Sequence, residues 1–284
     1  MTKLKLMLAA TLLLMPFMVV KSEADALQDA LTRGSLRVGV AEENYVPWLA
    51  SDKSGERIGF EIDVATRVSD ALGVPAEFVN VPFDNLLKSL LDGEVDVVIS
   101  GVSVTAERAK EVYFSTPYAT TEFTVVVDKT LLPAGAAENG YDVEGVKIGV
   151  AANTVAEYEA SSEFQAAEVV SYEDNGLMRD AFLEGEVHGV VAPTPYPVFI
   201  VSRDPDRYEM EQAPLLSTVE AMVVRPDSPG LMNFLNAWIV ENKASGTLGE
   251  LNSYWFESGE WLDDLEGYTS GADQTDGSVD GANK

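Results

Sequence analysis

Cysteine is absent from the 284 residues. Disulfides and thiolate metal sites are therefore excluded, as is a lipid anchor on a cysteine after the leader. Histidine is nearly as scarce, with His188 the sole one, inside the apolar segment "GEVHGVV". Metal centres need clustered ligands and most hydrolytic triads need an imidazole, so both classes lose their main ingredient. Positive charge is also short. Nineteen lysines and arginines face 47 acids, for a formal net charge of −28. Such a chain is repelled by a DNA backbone and by anionic membranes. No G-x-G-x-x-G, P-loop or G-x-S-x-G motif occurs. The one long apolar run, Leu6 to Val20, contains Pro16 and is short for a membrane span. Lys3 and Lys5 precede it and Ser22-Glu23-Ala24 follows it, so residues 1–24 read as a secretory signal peptide. Its removal takes away three lysines and one glutamate and leaves a mature chain near −30.

Hydrophobic residues make up 46% of the chain, and without disulfides they carry the stability. Leu36 to Val40 reads as a strand, and the loop "EENYVPWLASDKSGERIG" follows. A helix comes next, with Ile62, Ala65, Val68, Ser69 and Leu72 at helical spacing. Then come the strand "AEFVNV", a helix "NLLKSLLDG" capped by Asp84, and the strand "VDVVIS". This alternation predicts a parallel sheet flanked by helices. A second such unit begins near Val125. Its segment "DNGLMRDAFLEGEVHGVVAP" echoes "DNLLKSLLDGEVDVVISG" of the first. The runs 120–127 and 218–225 can join the two units. If the apolar helix at 229–242 packs on the first unit, the chain crosses between lobes twice and leaves a cleft. The expected layout is residues 30–121 plus 224–262 as lobe 1, 125–220 as lobe 2, and 263–284 as a disordered acidic tail.

Candidate site residues follow from the strand ends, where parallel α/β units place their binding loops. In "VVISGVSVTAER" (97–108), Gly101 admits close approach to backbone, and Ser100 and Ser103 offer hydroxyls. Thr105 suits the N-cap of a short helix from Ala106. Arg108 in its first turn opposes the helix dipole, a mismatch that eases if the guanidinium turns into a cleft and grips a carboxylate. A surface ion pair with Glu107 or Glu111 is the alternative. Tyr45 and Trp48, in the first loop, can wall a pocket or pack a satellite core. Glu42 can hold a ligand amine or face solvent. In the second unit, Asn153 and Thr154 stand where a helix begins and can serve an anion or the helix cap. Thr194 and Tyr196, in "APTPYP", offer hydroxyls after the last strand.

The stretches "LRVGV" (36–40), "GFEIDVA" (59–65), "FDNLLKSLLDGEVDVVISGVSVTAERAKEVYFSTPY" (83–118) and "YW" (254–255) together resemble the family 3 solute-binding proteins of amino-acid ABC transporters. The resemblance spans roughly 33–262. It implies an α/β, two-lobed periplasmic-binding-protein-like fold of type II with two hinge crossovers. It also implies that Arg108 clamps a ligand carboxylate beside Ser100, Gly101 and Ser103, that Tyr45 lines the site, and that Thr154 helps from lobe 2. One departure stands out. The family's aspartate for the ligand α-amine corresponds to Pro193, which has neither charge nor donor. Either Glu42 or another acid then supplies the counter-charge, or the ligand lacks that amine.

The expectation is a monomeric, non-enzymatic, cofactor-free and metal-free protein of the periplasm. It captures a small carboxylate-bearing solute and hands it to an ABC permease in the membrane. Two alternatives share the fold: a prephenate or arogenate dehydratase, and a ligand-sensing module for a signalling receptor.

Overall fold

The computed structural model describes residues 25–265. The expected signal peptide and all but the first three residues of the expected acidic tail lie outside that range.

The chain enters lobe 1 as α1 (Ala26–Arg33) and β1 (Leu36–Ala41). A long loop with a small ribbon, β2 (Ala50–Ser51) and β3 (Arg57–Ile58), leads into α2 (Phe60–Leu72) and β4 (Ala76–Val81). Then come α3 (Leu86–Leu91), β5 (Val97–Val98) and β6 (Tyr113–Phe114). The ten-residue β7 (Ala119–Asp128) carries the chain out to lobe 2. There follow β8 (Lys147–Ala151), α4 (Val155–Glu163), β9 (Glu168–Tyr172), α5 (Asn175–Glu184), β10 (Gly189–Pro193), α6 (Tyr196–Arg203) and β11 (Tyr208–Met210). β12 (Leu216–Glu220) leads back to β13 (Val223–Val224), α7 (Pro229–Ser245) and α8 (Thr247–Asn252) in lobe 1.

The lobe 1 sheet has the order β4-β1-β5-β13-β6 and the lobe 2 sheet β11-β7-β10-β8-β9, with β12 beside β7. In each lobe the three strands of the βαβ units run parallel, and the crossing segments join antiparallel. β7 and β12 pair from Leu216↔Phe123 to Glu220↔Ala119, so the two crossovers form one antiparallel ribbon. The returning helix α7 buries Leu231, Leu235, Trp238 and Ile239 in the same core as Val38, Val64 and Val97. That placement makes the connection a double crossing rather than a tandem of domains. Lobe 2 has a core on each face of its sheet, one around Ile148 and Val150 and one around Phe182 and Val190.

The two lobes repeat a detail that their sequences hide. Before β5, the Asp96 amide donates to the Arg37 carbonyl (2.9 Å) and its carboxylate accepts from the Arg37 amide (2.9 Å). Before β10, the His188 amide donates to the Lys147 carbonyl (2.9 Å) and Nδ1 accepts from the Lys147 amide (3.1 Å). Imidazole and carboxylate thus do the same job of fastening the first of the parallel strands in each lobe. Asp96 further pairs with Arg33 and Arg37.

Three local expectations need correction. Thr105 does not start an α-helix. Residues Arg108–Lys110 form a single 3₁₀ turn, and the Thr105 hydroxyl accepts from the Arg108 amide at 3.1 Å. Without a helix there is no dipole for Arg108 to oppose. Asp84 does not cap α3, whereas Asp174, its counterpart, caps α5 through the Leu177 amide at 2.8 Å. The folded chain also continues past 262. The Lys53 amide donates to the Asp264 carbonyl (2.9 Å), and Leu265 is buried.

Candidate functional site

The loop after β1 decides which aromatic reaches the cleft. The first amides of α2, those of Phe60 and Glu61, donate to the carbonyls of Pro47 (3.0 Å) and Trp48 (3.1 Å), satisfying donors that a helix start leaves free. This folds the loop tightly over α2. Gly59 makes the fit possible, because a Cβ there would stand 2.4 Å from the Trp48 carbonyl oxygen. Trp48 is thereby driven into the lobe 1 core, 1% exposed, edge-on to Phe60 and Phe256. It lines none of the cavities described, so the pocket role considered for it is withdrawn. Tyr45 stacks outside Trp48, with ring centroids 6.3 Å apart, and forms cavity wall. Arg57 braces this loop through the Asn44 side chain and the Ala41 carbonyl, each at 2.8 Å.

Between the lobes lies a cavity of about 250 Å³. Glu42, Tyr45, Ser100, Gly101, Ser103 and Arg108 line it from lobe 1, and Thr154 lines it from lobe 2. Gly101 turns the chain with φ +63°, and a Cβ there would touch the Trp48 ring at 3.8 Å. The buried Ser100 hydroxyl accepts from the Ala41 amide at 2.9 Å, so it ties β1 to the binding loop. Arg108 Nη1 donates to the Ser103 carbonyl at 2.9 Å. Among the described residues Arg108 makes no ion pair; its neighbour Glu107 is taken by Lys110. Burial lowers the guanidinium below its ordinary value, and it remains charged. A fixed, half-buried cation with free donors is what an incoming carboxylate needs.

The lobe 2 residues are more occupied. The Thr154 hydroxyl donates to the Ala151 carbonyl (2.7 Å) and accepts from the Glu157 amide (3.3 Å). The Ala151 carbonyl takes its hydrogen and the helix cap takes a lone pair, leaving the start of α4, with Val155 and Ala156, to face the cavity. Asn153, at φ +60°, lies instead in an adjoining chamber with Asp84 and Arg108. Its amide donates to Glu157 Oε2 at 2.7 Å. Thr194 lies outside the cavities described; its amide donates to the Glu122 carbonyl at 2.8 Å. Pro193 borders a smaller chamber with Tyr45, Tyr196 and Phe199.

Patterning did not single out the acids. Glu43, Asp84, Glu173 and Asp174 line the main cavity beside Glu42, opposite the single guanidinium. Burial raises the Glu43 carboxyl above its ordinary value, and the charges of Glu42 and of Asp174 across the cleft raise it further. Glu43 Oε2 is buried without a hydrogen bond. In a chain with 47 acids, no sequence signal marks these as special.

Two lobes, a double-stranded hinge and a polar chamber built on strand ends define a solute-binding protein of the periplasmic-binding type. Residues 36–258 match the model of the bacterial extracellular solute-binding proteins, family 3, and the chain belongs to that family. It is 29% identical over 241 residues to the L-cystine-binding protein TcyJ of Escherichia coli strain K12, covering 84% of this chain and 90% of that one. Among solved structures, the putative ABC-transporter binding component from Wolinella succinogenes, complexed with lysine, superposes with a TM-score of 0.75 at 27% identity, covering 81% of this chain and 99% of that one. The ancestral amino acid-binding protein AncCDT-1, a precursor of cyclohexadienyl dehydratase, gives 0.74 at 29% identity, covering 82% and 100%.

Proposed function

We propose that this protein captures a small solute bearing both a carboxylate and a positive charge, closes its lobes over it, and delivers it to an ABC permease from the periplasm as a monomer. The distribution of charge about the cavity carries this reading. Arg108 stands alone for the carboxylate, while Glu42 and Glu43 on lobe 1 face Glu173 and Asp174 on lobe 2. Closure on an anion would press like charges together; a cation between them removes that repulsion. The lysine bound to the Wolinella relative has this chemistry, and a basic amino acid is the ligand class favoured here. Arg108→Ala is expected to weaken binding by about 2–5 kcal/mol, the cost of truncating a buried hydrogen-bonded charge partner. Arg108→Lys should recover little of it, for want of the two parallel bonds. Calorimetric titration of the mature protein with L-lysine and L-arginine measures both. Unchanged affinity in Arg108→Ala would end the carboxylate-clamp reading.

A second reading rests on Glu43, whose raised carboxyl sits in a cleft of a fold shared with a dehydratase precursor. Such a group suits general-acid departure of a hydroxyl. No turnover of prephenate or arogenate is expected. Turnover that disappears in Glu43→Gln would replace binding with catalysis.

A further inference from the structure

Phe199 belongs to lobe 2 by sequence and to lobe 1 by contact. It lies in α6, whose Tyr196, Ile200 and Val201 pack into the lobe 2 core around Phe182 and Val190. Phe199 packs instead against the core of lobe 1. Its ring meets that of Trp261 at an interplanar angle of 60°, with centroids 6.2 Å apart.

Trp261 lies beyond the stretch that matches the family, which ends at residue 258. Gly259 turns the chain with φ +68°, and a 3₁₀ turn over Glu260–Asp264 follows. Three contacts fix this segment to lobe 1. Trp261 meets Trp255 at 5.5 Å, and Trp255 Nε1 donates to Asp63 of α2 at 2.8 Å. The Asp264 carbonyl accepts from the Lys53 amide at 2.9 Å. Leu265, 3% exposed, forms an antiparallel bridge with Asp52. The segment is a strap that moves with lobe 1 and touches lobe 2 through Trp261. The indole Nε1 is buried without a hydrogen bond. An unpaired buried N–H is costly, and a phenylalanine or leucine would fill a core site without that cost. What the larger ring adds is reach, to Trp255 on its own lobe and to Phe199 on the other.

This contact flanks the ligand cavity without lining it. Phe199 borders the small chamber whose Tyr45 and Asn175 also line the main cavity. A hinge rotation carries α6 with lobe 2 and the strap with lobe 1, so opening parts the two rings. Across the same cleft Glu42 and Glu43 face Glu173 and Asp174, like charges that push the lobes apart. An aromatic contact resists that push without adding charge.

We infer that Phe199 and Trp261 form a latch between the lobes, a contact independent of the ligand that favours the closed form and so sets the affinity for the solute. Both are positioning residues, since neither lines the cavity. The inference rests on the reading that the lobes close over a solute, whichever solute that is.

The absence of cysteine makes the test direct. Ala71→Cys on α2 and Ser162→Cys on α4, both exposed, take one spin label per lobe, and pulsed electron resonance reads the distance between them. Without ligand, Phe199→Ala and Trp261→Leu should each shift the distance distribution in the same direction, toward open lobes. Calorimetry should show L-lysine and L-arginine weakened by the same factor, about two- to tenfold for the loss of one aromatic pair from the closed state. Stopped-flow measurement should place the loss in faster dissociation. The double variant should be no weaker than the weaker single one. Melting temperature checks folding; if Trp261→Leu does not fold, Phe199→Ala, at a half-buried helix position, decides alone. Identical distance distributions in wild type and variants would overturn the latch. So would a loss confined to one of the two ligands, which would make Phe199 a ligand contact, or unchanged affinity with a lowered melting temperature, which would make the pair structural. If neither amino acid binds the wild type, the proposed ligand class fails, and the distances measured without ligand still decide the latch.

Discussion

Tyr45 and Trp48 sit three positions apart in one loop, and composition does not distinguish their fates. The two α2 amides that reach back to Pro47 and Trp48, with Gly59 yielding room, separate them. Glu61, the second residue of α2, has a fate equally hidden. It reads as a polar position near a helix start, yet it is fully buried and takes the Tyr118 hydroxyl at 2.6 Å. Burial raises its carboxyl to about 8, the Tyr118 hydrogen bond opposes the rise, and the charge of Glu220 adds to it. Below about 4.5, Glu61 is protonated in both states. Between there and about 8 the folded state holds a proton that the unfolded state has lost, so stability falls as pH rises and levels off above 8. Glu61→Gln should remove this slope, which amounts to a few kcal/mol in order of magnitude. Denaturant unfolding of both proteins at pH 5 and at pH 8.5 reads it directly. Parallel pH profiles would mean that Glu61 ionises in the folded state without penalty.

At the scale of elements, helix periodicity and strand runs were legible, because apolar residues must face a core whatever lies beyond. The binding-loop helix expected from Thr105 was not, since the same Thr-x-x-Arg pattern serves a single turn that leaves Arg108 free. The junction of α1 with α7 was also hidden. Asp25 accepts from the Leu27 amide of α1 at 2.9 Å and from the Gly230 and Leu231 amides of α7, capping two helices that lie 200 residues apart in the chain. Each cap is worth about 1 kcal/mol. Asp25→Ala is therefore expected to cost about 1–3 kcal/mol in a chemical denaturation curve, with ligand affinity unchanged because the site is remote. Asp25→Asn, which keeps an acceptor, should lose less.

For the whole molecule, charge sets the behaviour. At a net −28 the folded chain repels itself, and the ion pairs described are few. Salt shortens the reach of that repulsion from about 30 Å at 0.01 M to about 10 Å at 0.1 M. The melting temperature should accordingly rise with sodium chloride over this range and beyond, as scanning calorimetry would register. A falling melting temperature would show that attractive pairs dominate. Ligand affinity should move the opposite way if the solute is cationic, because the same screening weakens the acidic cleft's attraction.

What the amino-acid sequence determined by itself was the repeated α/β pattern and Arg108 on a loop of small polar residues. These follow from periodicity and from the rule that binding loops gather at strand ends, and both are local properties of the chain. Only the tertiary structure decided which acids matter. Asp174 faces Glu43 from the other lobe. A carboxylate is uninformative in a sequence so rich in them. It acquires a role only when folding removes its water and gathers it with other acids about one cavity.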